Sequence, residues 1–461
     1  MPRRKKGEAD GVHPLFRSVR SRVGATARST VPRHYGLLKR LTQLAAICSL
    51  ALTAKSQETT ALPSIVTIET ATQEALDKNL TLLAERYRIS VADARIITAR
   101  LRPNPVVTLV ADHLDLLGTH FNAQNNAGPA EYAYRTDFVL ERGGKRERRI
   151  AFAEADRSAA ELAVLNSVRT LLYDVNSAFV DVQLAKEAVA LAQQSLKALN
   201  DIVDINGARV RSGDLAQVEL VRSRLAALQF NTAVQQAQLR LKQAKNRLQL
   251  LLGRNSLSDD FDVSGEMRRE TKNYALDEVR TVALQLRPDL RQAQREQARS
   301  QADLRLQLAQ GKVDYTVGTE YRRQQGLNGT GNSLGFFVSV PLPVFNRNQG
   351  EIERARLEQE QLSLRIRAVQ AAIGTEVTNA YQQYTTNKDL LDSIEKNALE
   401  QARNVRQTTE YSYRRGEASL IEFLDAQRAF NDAVQSYNEV RAEYARSLYL
   451  IDSVSGRSVT P

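Results

Sequence analysis

The sequence predicts a mainly α protein that also carries a membrane β-barrel, in a duplicated plan of short helices, a β-hairpin and a long helical hairpin. Three observations lead there. Apolar residues recur with a seven-residue period through a stretch of more than 60 residues without proline. Four segments of about ten residues alternate apolar or aromatic side chains with polar ones. The two halves of the chain also resemble each other at an offset of 203 residues. Glutamine, alanine, leucine and arginine dominate the long stretches, the composition of extended helices and not of an α/β enzyme.

Residues 1–54 read as a leader and secretory signal. Lys39-Arg40 precede the 14-residue apolar run Leu41–Ala54, and polar Lys55-Ser56-Gln57-Glu58 follow. That is a charged start, an apolar centre and a small-residue end, with cleavage expected near Ala51 or Ala54. Fourteen residues are too few to span a bilayer as a helix, and no other segment approaches 18 consecutive apolar residues. The single cysteine, Cys48, excludes a disulfide framework, and Ile47 stands where lipid attachment needs a small residue. The leader also holds the charge. Of a net +11, residues 1–40 contribute eleven Lys and Arg against Glu8 and Asp10, leaving 53 basic and 51 acidic groups in the other 421 residues. A nucleic-acid partner is not expected, because its basic surface belongs in the folded part.

The first structural repeat is expected over 65–255 and the second over 275–456, with 256–274 as linker. Gly213 and Gly416 anchor the offset; Val221 pairs with Leu424, Leu241 with Tyr444, Leu248 with Ile451 and Gly253 with Gly456. Upstream, Tyr173–Phe179 (YDVNSAF) echoes Thr375–Tyr381 (TEVTNAY) after one small length adjustment. Val168, Val175, Val182, Val189, Leu196 and Val203 keep the heptad of the first long helix, which makes helices supercoil about neighbours. From Lys145 to Asn206 such a helix would run ~90 Å. In the return helix Val234, Ala237, Leu241, Ala244, Leu248 and Leu251 step by three and four. Ala, Gln and Ser crowd these seams, and a hollow assembly and a solid coiled-coil rod both fit the heptads.

Strands are expected at about 104–113 and 131–141, and at about 312–322 and 333–342. Tyr132, Tyr134, Thr136, Phe138 and Leu140 share one face against Ala133, Arg135, Asp137, Val139 and Glu141. Val313, Tyr315, Val317, Thr319 and Tyr321 do so in the third strand, and Leu334, Phe336, Val338 and Val340 in the fourth. Such segments are what membrane-barrel strands look like. Four strands cannot close a barrel, and lipid forbids open edges, so closure needs several copies about an axis. A trimer would supply twelve strands. Pro103, Pro105, Pro341 and Pro343 mark the passages between helix and strand.

Two turns, Arg211-Ser212-Gly213-Asp214 and Arg414-Arg415-Gly416-Glu417, end one long helix before the next begins, glycine supplying the left-handed backbone. Glu422 and Asp425, three residues apart just beyond, share a helix face. No nucleophile–base pair, phosphate loop or dinucleotide fingerprint is present, so neither an enzyme nor a cofactor is expected. Gly326, Gly329 and Gly331 read as a polar hairpin loop. His113 and His120 have no partner at ligand spacing, so no metal site is expected.

Three stretches carry a family likeness: LRPNPVVTL (Leu101–Leu109), VPLPVFNRNQGEIERA (Val340–Ala355) and YRRGEASLIEFLDAQRAF (Tyr413–Phe430). With the order of elements, they make residues 65–456 resemble the TolC-type outer-membrane efflux proteins. The second stretch is similar to the heavy-metal-efflux branch typified by CzcC. The resemblance implies a homotrimer with a twelve-stranded β-barrel in outer-membrane lipid, continued by an α-helical coiled-coil barrel through the periplasm. It implies two protein partners, a periplasmic adaptor (membrane fusion) protein and an inner-membrane pump of the RND type. It further implies that the two turns form the periplasmic tip that meets the adaptor. Glu422 and Asp425 would face the pore at that end, where three chains gather six carboxylates that attract cations and raise one another's pKa. The first repeat departs from this pattern: Ala216 stands where the second has Ser419, and Arg222 where it has Asp425. The implied function is passive conduction of substrates, heavy-metal cations among them, to the exterior. The alternative reading is a periplasmic coiled-coil scaffold whose strands form a small soluble sheet.

Overall fold

The computed structural model describes residues 65–114, 116–118, 130–270, 273–326 and 329–459; the leader lies outside the described residues. From the amino end, β1 (Ile65–Val66) leads into helices α1 (Ile68–Lys78) and α2 (Leu80–Arg100) and strands β2 (Val106–Asp112) and β3 (Glu131–Leu140). The helical hairpin α3 (Lys145–Ser212) and α4 (Gln217–Leu251) follows. After β4 (Asp262–Val263) the order recurs, with α5 (Leu276–Leu286), α6 (Pro288–Gln310), β5 (Tyr315–Gly326) and β6 (Gly329–Ser339). It closes with α7 (Gln349–Ser393), a π turn (Ile394–Ala398), α8 (Leu399–Arg415) and α9 (Leu420–Ser455). β1 and β4 pair in parallel, a two-residue contact between the residues just ahead of α1 and the 256–274 segment that the sequence did not suggest.

Glycines splice short helices onto long ones. Gly253, just past α4, has φ +76°, and a Cβ there would lie 2.2 Å from the Lys78 carbonyl oxygen between α1 and α2. Asn79 secures the joint: its Oδ1 accepts from the Leu82 N–H to cap α2, and its Nδ2 donates to the Leu251 carbonyl, both at 2.9 Å. Gly456, φ +77°, meets the α5–α6 joint in the same way, its Cβ position 3.1 Å from the Arg287 nitrogen. So α2 prolongs α4, and α6 prolongs α9. Helix contacts then order four columns side by side, α2/α4, α3, α6/α9 and α7/α8.

The strands repeat that order as one antiparallel sheet, β2-β3-β5-β6. Cross-strand rows put Leu109, Tyr134, Tyr321 and Leu334 on one face, with Thr136, Thr319 and Phe336, then Phe138, Val317 and Val338. This apolar face is bare: Phe336 is 77% and Val338 72% exposed. β5 starts at Tyr315 and runs to Gly326, and β6 starts at Gly329, so both strands extend past the expected tip. Gly326 pairs with Gly329 and Gln324 with Gly331, so these glycines belong to the ladder and not to a loop. Arg323, Gln324 and Gln325 are polar on both faces, which erases the alternation while backbone pairing continues.

Two apolar clusters hold the middle of the columns. In the first, α1 lays Ala71 and Ala75 against Val168, Val175 and Phe179 of α3 and Leu248 of α4. In the second, α5 lays Val279 and Ala283 against Ile373 and Val377 of α7 and Leu448 and Ile451 of α9. Each fully buried aliphatic or aromatic side chain contributes about 1.5–3 kcal/mol. A buried ion pair sits beside the first cluster, Arg254 Nε and Nη2 to Glu74 at 3.1 and 2.9 Å, with the guanidinium 4.7 Å over the Phe261 ring. The expected heptad of α3 holds in the core only through Val182. Beyond Lys186, which turns aside to Asp262 (2.8 Å), the buried positions are Ser195, Leu199, Ile202 and Asn206. Lying between α4 and α9, α3 buries a stripe wider than one seam, and Val189, Leu196 and Val203 fall at its margin.

Candidate functional site

The two glycine turns lie together at the end of the columns away from the sheet. Gly213 and Gly416 both have φ +83° and close their helices identically. The Asp214 N–H reaches back to the Arg209 carbonyl (2.8 Å), as the Glu417 N–H does to that of Ser412 (2.9 Å). Ser212 Oγ and Asp214 Oδ2, 2.7 Å apart, brace the first turn. In the second, Arg414 pairs with Glu410 at 2.9 Å and the Arg415 guanidinium lies 4.7 Å over the Tyr411 ring. Arg211 and Glu417 stay exposed.

One buried cluster holds the turns together: Leu199, Ile202, Ala226, Tyr413, Leu420 and Phe423. Tyr413 stacks on Phe423 with centroids 5.7 Å apart, and its hydroxyl donates to Asn206 Oδ1 at 2.7 Å. Arg209 donates to the Tyr413 and Arg414 carbonyls, so the first hairpin caps the carboxyl end of α8 in the second. Tyr413 and Phe423 lie inside the family-like stretch Tyr413–Phe430, yet the sequence does not show that Asn206, Arg209, Tyr413 and Phe423 meet. Only their nearness to the glycines could have flagged them, because nothing local predicts a contact between residues about 200 positions apart.

Glu422 and Asp425 sit at the start of α9 with different duties. Ser419 caps the helix in a capping box: the Glu422 N–H donates to Ser419 Oγ (3.2 Å) and the Ser419 N–H donates to Glu422 Oε2 (2.6 Å). That N–H, and then the Ser419 hydroxyl, hold the Glu422 carboxyl below the usual carboxylate range. Within one chain the shift is downward, opposite to the rise that mutual repulsion alone predicts. Asp425 is 3.7 Å from Arg428, an exposed pair that holds it weakly. At the start of α4, Ala216 provides no side-chain cap, and Arg222 pairs with Glu219 at 2.7 Å.

At the other end, the second face of the sheet is polar. Arg135 Nε lies 2.9 Å from Asp137 and its guanidinium 4.5 Å over Phe337, while Arg322 Nε lies 2.9 Å from Glu320. Gly318, opposite Asp137, leaves room for that carboxylate, since a Cβ there would come within 2.1 Å of Oδ1. Among the described residues no group of three or more His, Cys, Asp and Glu is arranged to hold a metal ion. No described helix is long and apolar enough to cross a membrane.

The sequence pattern of the outer membrane efflux protein family matches residues 71–254 and again 279–457. The chain belongs to that family. Cobalt-zinc-cadmium resistance protein CzcC of Cupriavidus metallidurans is 24% identical over 393 residues, 85% of this chain and 90% of that protein. Nodulation protein T of Rhizobium leguminosarum bv. trifolii is 20% identical over 405 residues, 84% of this chain and 85% of that one. Among solved structures, the outer-membrane channel OprN superposes with a TM-score of 0.69 over 86% of this chain and 91% of its own, at 19% identity. The CmeC channel of Campylobacter jejuni gives 0.69 over 84% and 85%, at 14% identity. This efflux protein is therefore one of the outer membrane, with a helical extension in the periplasm.

Proposed function

We propose that three copies of this chain form a passive outer-membrane conduit, the last component of a tripartite efflux system. One observation carries the reading: a sheet bare on its apolar face ends in two unpaired edge strands, β2 and β6, above helix columns with two unpaired edges of their own. In lipid those strand edges need partners, and a rotation that pairs β2 with β6 of the next copy supplies them. On the edge column, α4 carries a second apolar seam, Val218, Val221, Leu225, Leu228 and Leu239, each more than half exposed. It supports contact with α7/α8 of a neighbouring copy, in the manner of a coiled coil. The two halves are read as duplicated repeats, so three chains give twelve strands around one axis.

The turns at Arg211–Asp214 and Arg414–Glu417 then form the periplasmic tip, which we assign to contact with a periplasmic adaptor backed by an inner-membrane pump of the RND type. Glu422 and Asp425 are assigned to a cation-attracting ring at its mouth. The likeness to CzcC supports metal cations as cargo, drawn through by charge and without coordination. Detergent extraction followed by unheated gel electrophoresis and planar-bilayer recording tests the reading. A heat-labile trimer that conducts ions is the expected result; a monomer soluble without detergent removes it.

A further inference from the structure

The two long hairpins differ by one residue, and the structure places that residue. Val175 and Gly213 are 38 positions apart, whereas their counterparts Val377 and Gly416 are 39 apart. Val175 and Val377 are equally buried, and Gly213 and Gly416 share one backbone conformation. The extra residue is therefore absorbed between them, and α3 has no interruption there. On the other side it lies in the π turn Ile394–Ala398, where the Leu399 N–H bonds back five residues to the Ile394 carbonyl. A π turn is what an α-helix forms to take in one residue without losing register on either side, and it weakens the helix locally.

Burial changes across this turn. Before it, α7 buries Ile373, Val377, Ala380, Tyr384 and Leu391. After it, the 17 residues of α8 bury only Tyr413, at the far end. The turn is gripped from one side by the 256–274 segment. Met267 is buried against Val180, Ala442 and Ala445, and Arg268 reaches Asp452 at 2.6 Å, which fixes the segment on α9. The next residue, Arg269, makes a two-pronged pair with Glu395 inside the π turn, both bonds at 3.0 Å. The Tyr437 hydroxyl of α9 meets the same carboxylate at 3.2 Å.

We infer that the π turn is the hinge of the second tip hairpin, and that Arg269, acting through Glu395, is the positioning residue that holds α8 against α9. The consequence for conduction rests on reading the tip as the mouth of the conduit. Releasing the latch lets α8 swing about residues 394–398, carrying the Arg414–Glu417 turn away from Arg209. The segment joining the two halves is on this account a strap that sets the aperture.

The test uses the full-length protein in detergent and in planar bilayers, with Arg269→Glu, Glu395→Arg, the milder Glu395→Gln, and the exchanged pair Arg269→Glu/Glu395→Arg. The single variants are expected to speed amide hydrogen exchange across residues 390–415 by about five-fold, and to raise the potassium current per channel. The exchanged pair is expected to restore both. Exchange that is unchanged in every single variant overturns the latch, as does failure of the exchanged pair to restore it. A wild-type protein that passes no current sinks the conduit reading alone, because the exchange measurement still decides the hinge.

Discussion

Replacing Phe336 by arginine separates a membrane sheet from a soluble one by the sign and size of the effect. Phe336 lies near the middle of β6, in register with Thr319 of β5, and is 77% exposed in the single chain. It makes little packing to lose. On a water-facing sheet Phe336→Arg would stay within about 0.5 kcal/mol of the parent. On a lipid face near the bilayer midplane the same arginine costs roughly 2–4 kcal/mol per site. Three copies in one barrel raise that to roughly 6–12 kcal/mol per assembly if the sites act independently. Ser339→Arg is the matched control: it is exposed too, but it lies on the polar face opposite Thr316. The assay is the amount of heat-labile trimer in the outer-membrane fraction, followed by urea titration of purified trimer returned to lipid vesicles. Phe336→Arg is expected to lose most of its trimer while Ser339→Arg keeps it. Equal tolerance of the two substitutions would refute the assignment of the apolar face to lipid.

Further outcomes follow from the same geometry. Gly253→Ala drives a Cβ against the Lys78 carbonyl at positive φ, so it should lower the melting temperature clearly, while Gly213→Ala, with open space around it, costs only the left-handed backbone penalty of about 1–2 kcal/mol; equal melting temperatures for the two would discard the splice. Replacing Gly213 and Gly416 together by phenylalanine should abolish pump assembly while the trimer still forms, and unimpaired efflux in that variant refutes the adaptor contact. Glu422→Ala with Asp425→Ala should reduce block of the channel by divalent cations. Because the Ser419 N–H depresses the Glu422 pKa, its charge and its cap are present at neutral pH and lost only as pH falls through the folded value. Block should therefore persist to a lower pH than an ordinary glutamate would allow; its loss above the ordinary glutamate range would mean that repulsion within the ring outweighs the cap.

Much of this architecture was legible because the order of elements recurs along the chain. The heptads of α3 announced long helices, the alternation around Tyr134 and Phe336 announced strands with one apolar face, and the glycine turns announced where the hairpins reverse. What stayed hidden depends on contacts between distant residues. Gly253 and Gly456 were visible as a matched pair, yet their role as joints needs Lys78 and Arg287 to be seen beside them. The capping box of Ser419 and Glu422 is spelled out by their spacing of three, but the resemblance gives the same glutamate a pore role, and only the structure shows its bond to the backbone. The one-residue length adjustment between the halves was countable, and only the backbone of residues 394–398 shows where it went.

The agreement between the strand order and the helix order constrains assembly more than either does alone. Each strand adjoins, in sequence, the helix of its own column, so the open edges at β2 and β6 stand over the open edges of α2/α4 and α7/α8. In the proposed trimer a single rotation would have to satisfy both layers at once. Any mismatch between the spacing that lipid-embedded strands demand and the spacing that packed helices prefer has to be relieved somewhere along the columns. The middle is held by two apolar clusters and by the Glu74–Arg254 pair, and the sheet by its ladders. At the end of the columns that bears the glycine turns, α8, beyond the π turn, buries only Tyr413. In the proposed trimer, strain from closing the ring is therefore expected to collect at the periplasmic end, where a small displacement would change the proposed aperture most.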